Sequence, residues 1–274
     1  MQMKDSPAVL MHFEGSTIKF TLEMPRNENM VTNLDDVPVN VKVLEGNEER
    51  EYKPNMSNRK MTLGEWMQHF RSFSMNCQVD FYVGKIKFNI RSLRNTFPNL
   101  RRIGITCLKD EPNENDILST QNLLRAFLSD VQLLELHRVP LHENLSLQHI
   151  GMANLKRLEI DNQSDLNLDD ISTWNFEICS IWTIDHPKLL FDLNRFFKLW
   201  IKGSNPMMVE LSISWTTEIT PDWNILLKGL KAIEEEPYPE GTRKLIIKNI
   251  RGISSEINFD HIDEDVVVVF SLFD

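Results

Sequence analysis

Glycine and cysteine are scarce in this chain of 274 residues, with ten and three copies. The ten glycines stand singly, so no glycine-rich loop cradles a phosphate after a predicted strand. No G-x-S-x-G elbow exists to expose a serine nucleophile. Cys77, Cys107 and Cys179 are far apart, odd in number and without C-x-x-C spacing. That fits a reducing compartment better than a disulfide framework, so an intracellular location, cytoplasmic or nuclear, is expected. The opening MQMKDSPAVLMHFEGS has too short an apolar run for a signal peptide or a membrane span. Basic charge is also in deficit, with 30 Lys and Arg against 40 Asp and Glu. The net charge of -10 opposes general binding to nucleic acid or an anionic membrane.

Metal chemistry lacks its spacing too. His137, His142 and His149 are separated by intervals that fit neither a helix face nor alternate strand positions. The acidic loop from Asp110 to Asp116 lacks the glycine and closing glutamate of an EF-hand and reads as a turn and helix cap. Asn55, Asn144 and Asn162 head glycosylation acceptor patterns, which read as coincidental without a secretory signal. The one basic run, Lys85 to Arg102, has no glycine-rich loop beside it and reads as a solvated surface. No catalytic constellation, metal or cofactor is expected.

What the chain does contain is pattern. Val9–Phe13 and Thr17–Leu22 alternate around Gly15, and Val37, Val39, Val41 and Val43 alternate before a turn at Gly46. These predict a small N-terminal unit of β-hairpins over residues 1–60. Thr62 and Glu65 have capping-box spacing ahead of a helix over 63–73. From Leu100 onward a motif of apolar, two residues, apolar, one residue, apolar recurs. It falls at Leu100, Ile103, Ile105; Val131, Leu134, Leu136; Leu155, Leu158, Ile160; Cys179, Trp182, Ile184; Met208, Leu211, Ile213; and Thr242, Leu245, Ile247. Middle positions are 31, 24, 24, 29 and 34 residues apart, around the leucine-rich-repeat range. Helical or irregular segments, such as 116–128, 188–202 and 223–236, separate the strands. The expectation is therefore an α/β fold, an irregular leucine-rich-repeat-like solenoid of parallel strands and crossovers over 61–274, preceded by the hairpin unit.

The best-defined unit is Lys188 to Ile213. Leu189, Leu193, Phe196, Phe197 and Trp200 form a helical apolar stripe that should be core, Gly203 can take the left-handed cap, and Pro206 ends the turn. This segment resembles the F-box-associated domain of the large nematode families of F-box proteins. The resemblance lies in Leu193, Asn194, Phe196, Lys198, Trp200, Gly203, Asn205 and Pro206, then Leu211 and Ile213, with Met208 departing from the usual leucine. It implies a non-enzymatic substrate-recognition region of a cullin-type ubiquitin ligase, with a protein target as partner. The resemblance places the point where the family's linker leaves the F-box at Lys4 or close to it, so the F-box is expected to be absent here and recruitment by a cullin adaptor to require a supplied one. The alternative expectation is a stand-alone or degenerate paralogue that binds or competes for targets. A hydrolase or metal enzyme without a recognisable motif is the remote third reading.

With each apolar triplet facing the core, the intervening residues fall on an open sheet face. They are Arg102; Glu135 and His137; Arg157, Glu159 and Asp161; Thr183 and Asp185; Glu210, Ser212 and Ser214; and Lys244 and Lys248. The middle strands are acidic and the ends basic, which predicts a partner segment with a basic centre.

Overall fold

The computed structural model describes residues 8–13, 16–22, 31–33, 39–45, 48–51, 61–71, 78–83, 87–98, 100–109, 112–139, 150, 153, 155–161, 174, 176–184, 188–234 and 243–273. The chain divides into two compact units, Met1–Glu143 and Asn144–Asp274.

The first unit begins as its alternation predicts, with antiparallel strands β1 (Ala8–Phe13) and β2 (Ser16–Leu22). Strand β3 (Val31–Thr32) is followed by β4 (Val39–Glu45), which pairs with β2, and β5 (Glu48–Glu51), which pairs with β4. Helix α1 (Leu63–Arg71) starts with the predicted capping box: Thr62 N–H donates to Glu65 Oε2 at 2.7 Å, and Glu65 N–H to Thr62 Oγ1 at 3.3 Å. Strand β6 (Gln78–Val83) pairs antiparallel with the free edge of β1, which joins the hairpins to the segment beyond residue 61. After β7 (Lys87–Phe88), which pairs with β3, come helix α2 (Ile90–Thr96), strand β8 (Arg102–Cys107), helix α3 (Glu114–Phe127) and strand β9 (Leu133–His137). The sheet order is β5-β4-β2-β1-β6-β8-β9, antiparallel up to β6 and parallel from β6 to β9. Phe81 of β6 stacks on Phe127 of α3 and meets Phe97, just after α2, edge-on, while Phe20 of β2 packs on Trp66 of α1. These helices therefore cover one face of the sheet.

The second unit starts with three parallel strands, β10 (Arg157–Asp161), β11 (Ile178–Ile184) and β12 (Glu210–Thr216). Between β11 and β12 lies α4 (Leu189–Ile201); after β12 come α5 (Trp223–Leu227) and strands β13 (Ile233–Glu234), β14 (Arg243–Lys248), β15 (Ser254–Ile262) and β16 (Asp265–Leu272). The order is β10-β11-β12-β16-β15-β14-β13. The C-terminal strand thus inserts beside β12, antiparallel to it, rather than closing the array. Phe196, Phe197 and Trp200 of α4 all contact Phe270 of β16, with ring centroids 5.0 to 6.0 Å apart, and Trp223 of α5 packs on Phe259 at 4.5 Å. The aromatic stripe of α4 is core, as its period predicts.

The expected leucine-rich-repeat-like α/β solenoid does not form; the fold is β-rich, with large mixed sheets and few helices. Parallel strands require a crossover of a dozen or more residues. The links Asn249–Ile253 and Asp263–Glu264 are too short for one, so β14, β15 and β16 fold back as hairpins. Alternation of apolar side chains has the same period in either orientation, which is why a spacing rule misread antiparallel strands as repeats. The segment 223–236 forms the short helix α5 and then the edge strand β13.

Candidate functional site

With helices on one face of each sheet, the other face carries the chemistry, and each unit presents its own. In the first unit Asp80 of β6, Gly104 of β8 and Glu135 of β9 are in register. A Cβ at Gly104 would stand 2.2 Å from Asp80 Oδ1, so the glycine makes room for that carboxylate. Asp80 Oδ2 lies 2.7 Å from His12 Nε2, whose Nδ1 is 3.0 Å from Thr17 Oγ1. Gln78 Nε2 donates to Asp80 Oδ1 at 3.1 Å and to Glu135 Oε2 at 2.8 Å. Glu135 is thus built into a polar network with side chains from four strands, β2, β1, β6 and β9, a role its position in sequence did not announce. His137 and the exposed Arg102 occupy the same face.

In the second unit the open face begins at β10. Arg157 Nε lies 2.6 Å from Glu159 Oε1, two positions along the strand, so this cation is committed to a neighbour on its own element. Glu159 stands beside Ser180 and Ser212, and Asp161 beside Trp182 and Ser214. Glu210 begins the β12 column and pairs with Ser271 of β16. Beyond β12 come Val267 and Val269, then Glu256, Asn258 and Asp260 of β15, then Lys244 and Lys248 of β14. Lys244 Nζ is 2.8 Å from Glu256 Oε2 and lies over the ring of Phe273, 5.7 Å from its centroid. Partial burial works to raise the Glu256 pKa, but the hydrogen bonds from Lys244 and Asn258 and the Lys244 charge outweigh it and hold the carboxyl below the usual range.

Thr183, expected on this face, is on the other side, 5 % exposed among the core side chains. Strand β11 reads ICSIWTI, apolar on both alternations, and a one-residue change of register flips every side chain. Ile181 aligns with Ile160 and Ile213, both buried, and that alignment takes Cys179, Ile181 and Thr183 inward. Trp182 is turned outward and is 43 % exposed, a functional candidate that the repeat motif had assigned to the core. The usable signal was Ile181, the only apolar residue of β11 in line with its neighbours' buried isoleucines. Asp185 lies outside the described residues, as do Cys77, His142, His149 and the three glycosylation acceptor patterns. Burial pushes the thiol pKa of Cys179 strongly upward, and that of Cys107 upward as well, so neither is poised as a nucleophile. Among the described residues no helix is long and apolar enough to cross a membrane.

The residues that carried the family likeness are structural. Asn194, nearly buried on α4, donates from Nδ2 to the carbonyls of Leu226 at 2.6 Å and Lys228 at 3.0 Å. At the end of α4, Gly203 N–H donates to Trp200 O and Ser204 N–H to Leu199 O, a Schellman cap, with Gly203 at φ 93°. Asn205, at φ 51°, is buried and donates from Nδ2 to the carbonyl of Trp174 at 2.9 Å. These motifs fix a helix, its cap and the following strand.

A helix-backed sheet with a charged open face and a projecting tryptophan is the form of a binding module. The family model described as F-box associated matches residues 146–213, the stretch that contains β10, β11, α4 and the first half of β12. The match supports that family in general, and an F-box-associated segment implies protein–protein interaction in general. No curated protein and no solved structure matches the chain.

Proposed function

We propose that this protein is a non-enzymatic protein-binding module, and that the open face of the second unit, from Arg157 to Lys248, is where its target docks. The finer reading is the substrate-recognition part of an F-box subunit of a cullin-type ubiquitin ligase. The observation that carries it is the charge on that face. Glu159, Asp161, Glu210, Glu256, Asp260 and Asp265 face Arg157, Lys244 and Lys248, two of the cations being bonded to Glu159 and Glu256. A carboxylate-rich face steers and selects a partner segment with a basic centre. Exposure of a large aromatic at its middle adds the anchor that binding faces concentrate their energy on.

The test is affinity purification from cells, comparing the wild-type chain with the double variant Glu159→Lys, Glu210→Lys. A defined set of proteins lost from the variant supports the reading; an unchanged set sinks it. Capture of a cullin adaptor with the wild-type chain itself favours the ligase role. Target capture without any adaptor favours a stand-alone binder or competitor.

A further inference from the structure

The strands of the antiparallel half of the second unit carry opposite chemistry at their two ends. At one end β12 begins, β16 finishes and β14 turns into β15. Backbone bonds hold these segments side by side: Leu272 N–H donates to Val209 O at 2.9 Å, Phe273 N–H to Ser254 O at 3.3 Å, and Asn249 N–H to Ile253 O at 3.0 Å. Ile250 of the turn lies against the end of α4, its N–H donating to Ile201 O. Ile250 is 74 % exposed, and Met207, Val209, Ile253 and Phe273 are 42 to 48 % exposed. Lys202, Lys248 and Arg251 stand exposed around them and form no ion pair among the described residues. At the other end β12 finishes and β15 turns into β16. There Thr217 N–H donates to Glu264 O at 2.7 Å, and Thr216 Oγ1 lies 3.2 Å from Asp265 Oδ1. Ile219 is 77 % exposed and Ile262 61 %. Glu218, Asp263, Glu264 and Asp265 are exposed beside them, again with no ion pair among the described residues.

We propose that these two ends are the halves of a head-to-tail contact between copies of this chain, the basic apolar end of one docking on the acidic apolar end of the next. The contact uses strand ends, so it goes beyond the target-binding reading of the open face and does not depend on it. The nine residues of β15, at about 3.3 Å each, set the ends roughly 26 Å apart. That is several times the screening length of about 8 Å at physiological salt, so the two ends do not neutralise each other within one molecule. Apolar side chains scattered singly on a surface need no cover, whereas several gathered at one place mark an interaction site. A second copy offers each end both apolar cover and the opposite charge. Carboxylates do stand near the basic end, at Glu177 and Glu210, but on the β11 and β12 side, with β16 and β15 between them and the Lys248–Arg251 turn. The net charge of -10 opposes chance encounters between copies, so association depends on the orientation that brings cations to carboxylates. The same net charge disfavours the other surface a basic apolar end could meet, an anionic membrane. Because the two patches differ, the contact is heterologous, and copies add in a ring or an open chain instead of stopping at a symmetric dimer.

The experiment measures the weight-average mass of the full chain by sedimentation over a range of concentrations, at about 0.05 M and about 0.5 M salt. It compares the wild type with Lys202→Glu/Arg251→Glu, with Glu218→Lys/Glu264→Lys, with Ile219→Ser, and with an equimolar mixture of the two charge-reversed double variants. Thermal melts establish that each variant is folded. The wild-type mass is expected to rise with concentration past that of a dimer, and less steeply at the higher salt. Each double variant alone, and Ile219→Ser, should associate about tenfold more weakly. The mixture should recover association, because the intact acidic end of one variant meets the intact basic end of the other. A wild type that stays monomeric throughout overturns the proposal; its flotation with phosphatidylserine vesicles, lost in Lys202→Glu/Arg251→Glu, would then give the basic end to a membrane surface. Association that neither double variant weakens, or that both weaken and the mixture does not recover, shows that the two ends do not meet and overturns it as well. Target capture and its loss in Glu159→Lys, Glu210→Lys are read separately, since none of the four charge-reversed positions is among the residues on which that reading rests.

Discussion

Asn194 Nδ2 lies 2.6 Å from the carbonyl oxygen of Leu226, and the same amide nitrogen reaches the carbonyl of Lys228 at 3.0 Å. One side chain on α4 thereby ends α5 and holds the two helices together. Removing it leaves two backbone acceptors that lie against the helix without a donor. Asn194→Ala is expected to cost about 1–3 kcal/mol of unfolding free energy, measured by urea denaturation with an unchanged m-value. Asn194→Asp should be no milder, because a carboxylate presents lone pairs where N–H groups are required. A loss below the noise of the titration would show that these carbonyls reach water.

The cap that follows is a second test of the same segment. Gly203 sits at φ 93°, and a Cβ there would stand 3.3 Å from Ile250 Cδ1. The backbone N–H of Ile250 donates to Ile201 O at 2.9 Å, so Ile250 is fixed where it is. Gly203→Ala combines left-handed strain with that contact and is expected to lower stability by about 1–2 kcal/mol. Gly203→Ala with Ile250→Ala should recover only the part due to the contact. Thermal melts of the two single variants and the double variant give the split, and full recovery in the double would sink the strain argument.

How much of this was legible beforehand follows from what each residue's surroundings decide. The helix of Leu189–Ile201, its glycine cap and the capping box at Thr62 are local features, set by residues within a turn or two, and were readable. So was the hairpin of β1 and β2, from alternation alone. The place of β16 was not. It runs antiparallel between β12 and β15, and nothing in DVVVVFSL distinguishes that slot from the end of a parallel array. The open face followed wherever only one alternation of a strand is apolar, as in Arg157–Asp161 and Glu210–Ser214, and failed on β11, where both are. Glu135 was placed correctly on a face, yet its bond to Gln78, 57 positions away, is a tertiary fact.

The Lys244–Glu256 pair gives the face a pH signature. Its carboxyl pKa is held below the ordinary value near 4.5. A group depressed in the folded state adds stability above its unfolded pKa and loses it as pH falls through the folded one. The difference in melting temperature between the wild type and Glu256→Gln is therefore expected to be constant at neutral pH and to shrink as pH falls below about 4.5. Lys244→Met should show the same profile, because it removes the charge that depresses the carboxyl while keeping an apolar stem over Phe273. A difference that stays level down to pH 3 would mean that Glu256 gains nothing from folding.

The register of β11 can be tested with two neighbouring residues. Ile181 is buried between Ile160 and Ile213, so Ile181→Ala removes a core side chain and is expected to cost about 2–5 kcal/mol. Trp182 projects from the other side of the sheet, and Trp182→Ala should change stability by under about 1 kcal/mol despite deleting the larger side chain. The repeat motif instead buries Trp182 and exposes Thr183, and so predicts a large loss at Trp182. Chemical denaturation of the two variants under identical conditions decides between them: a larger loss at Trp182 would mean that β11 pairs one residue out of the register described. In that case Thr183 returns to the open face and Trp182 leaves it.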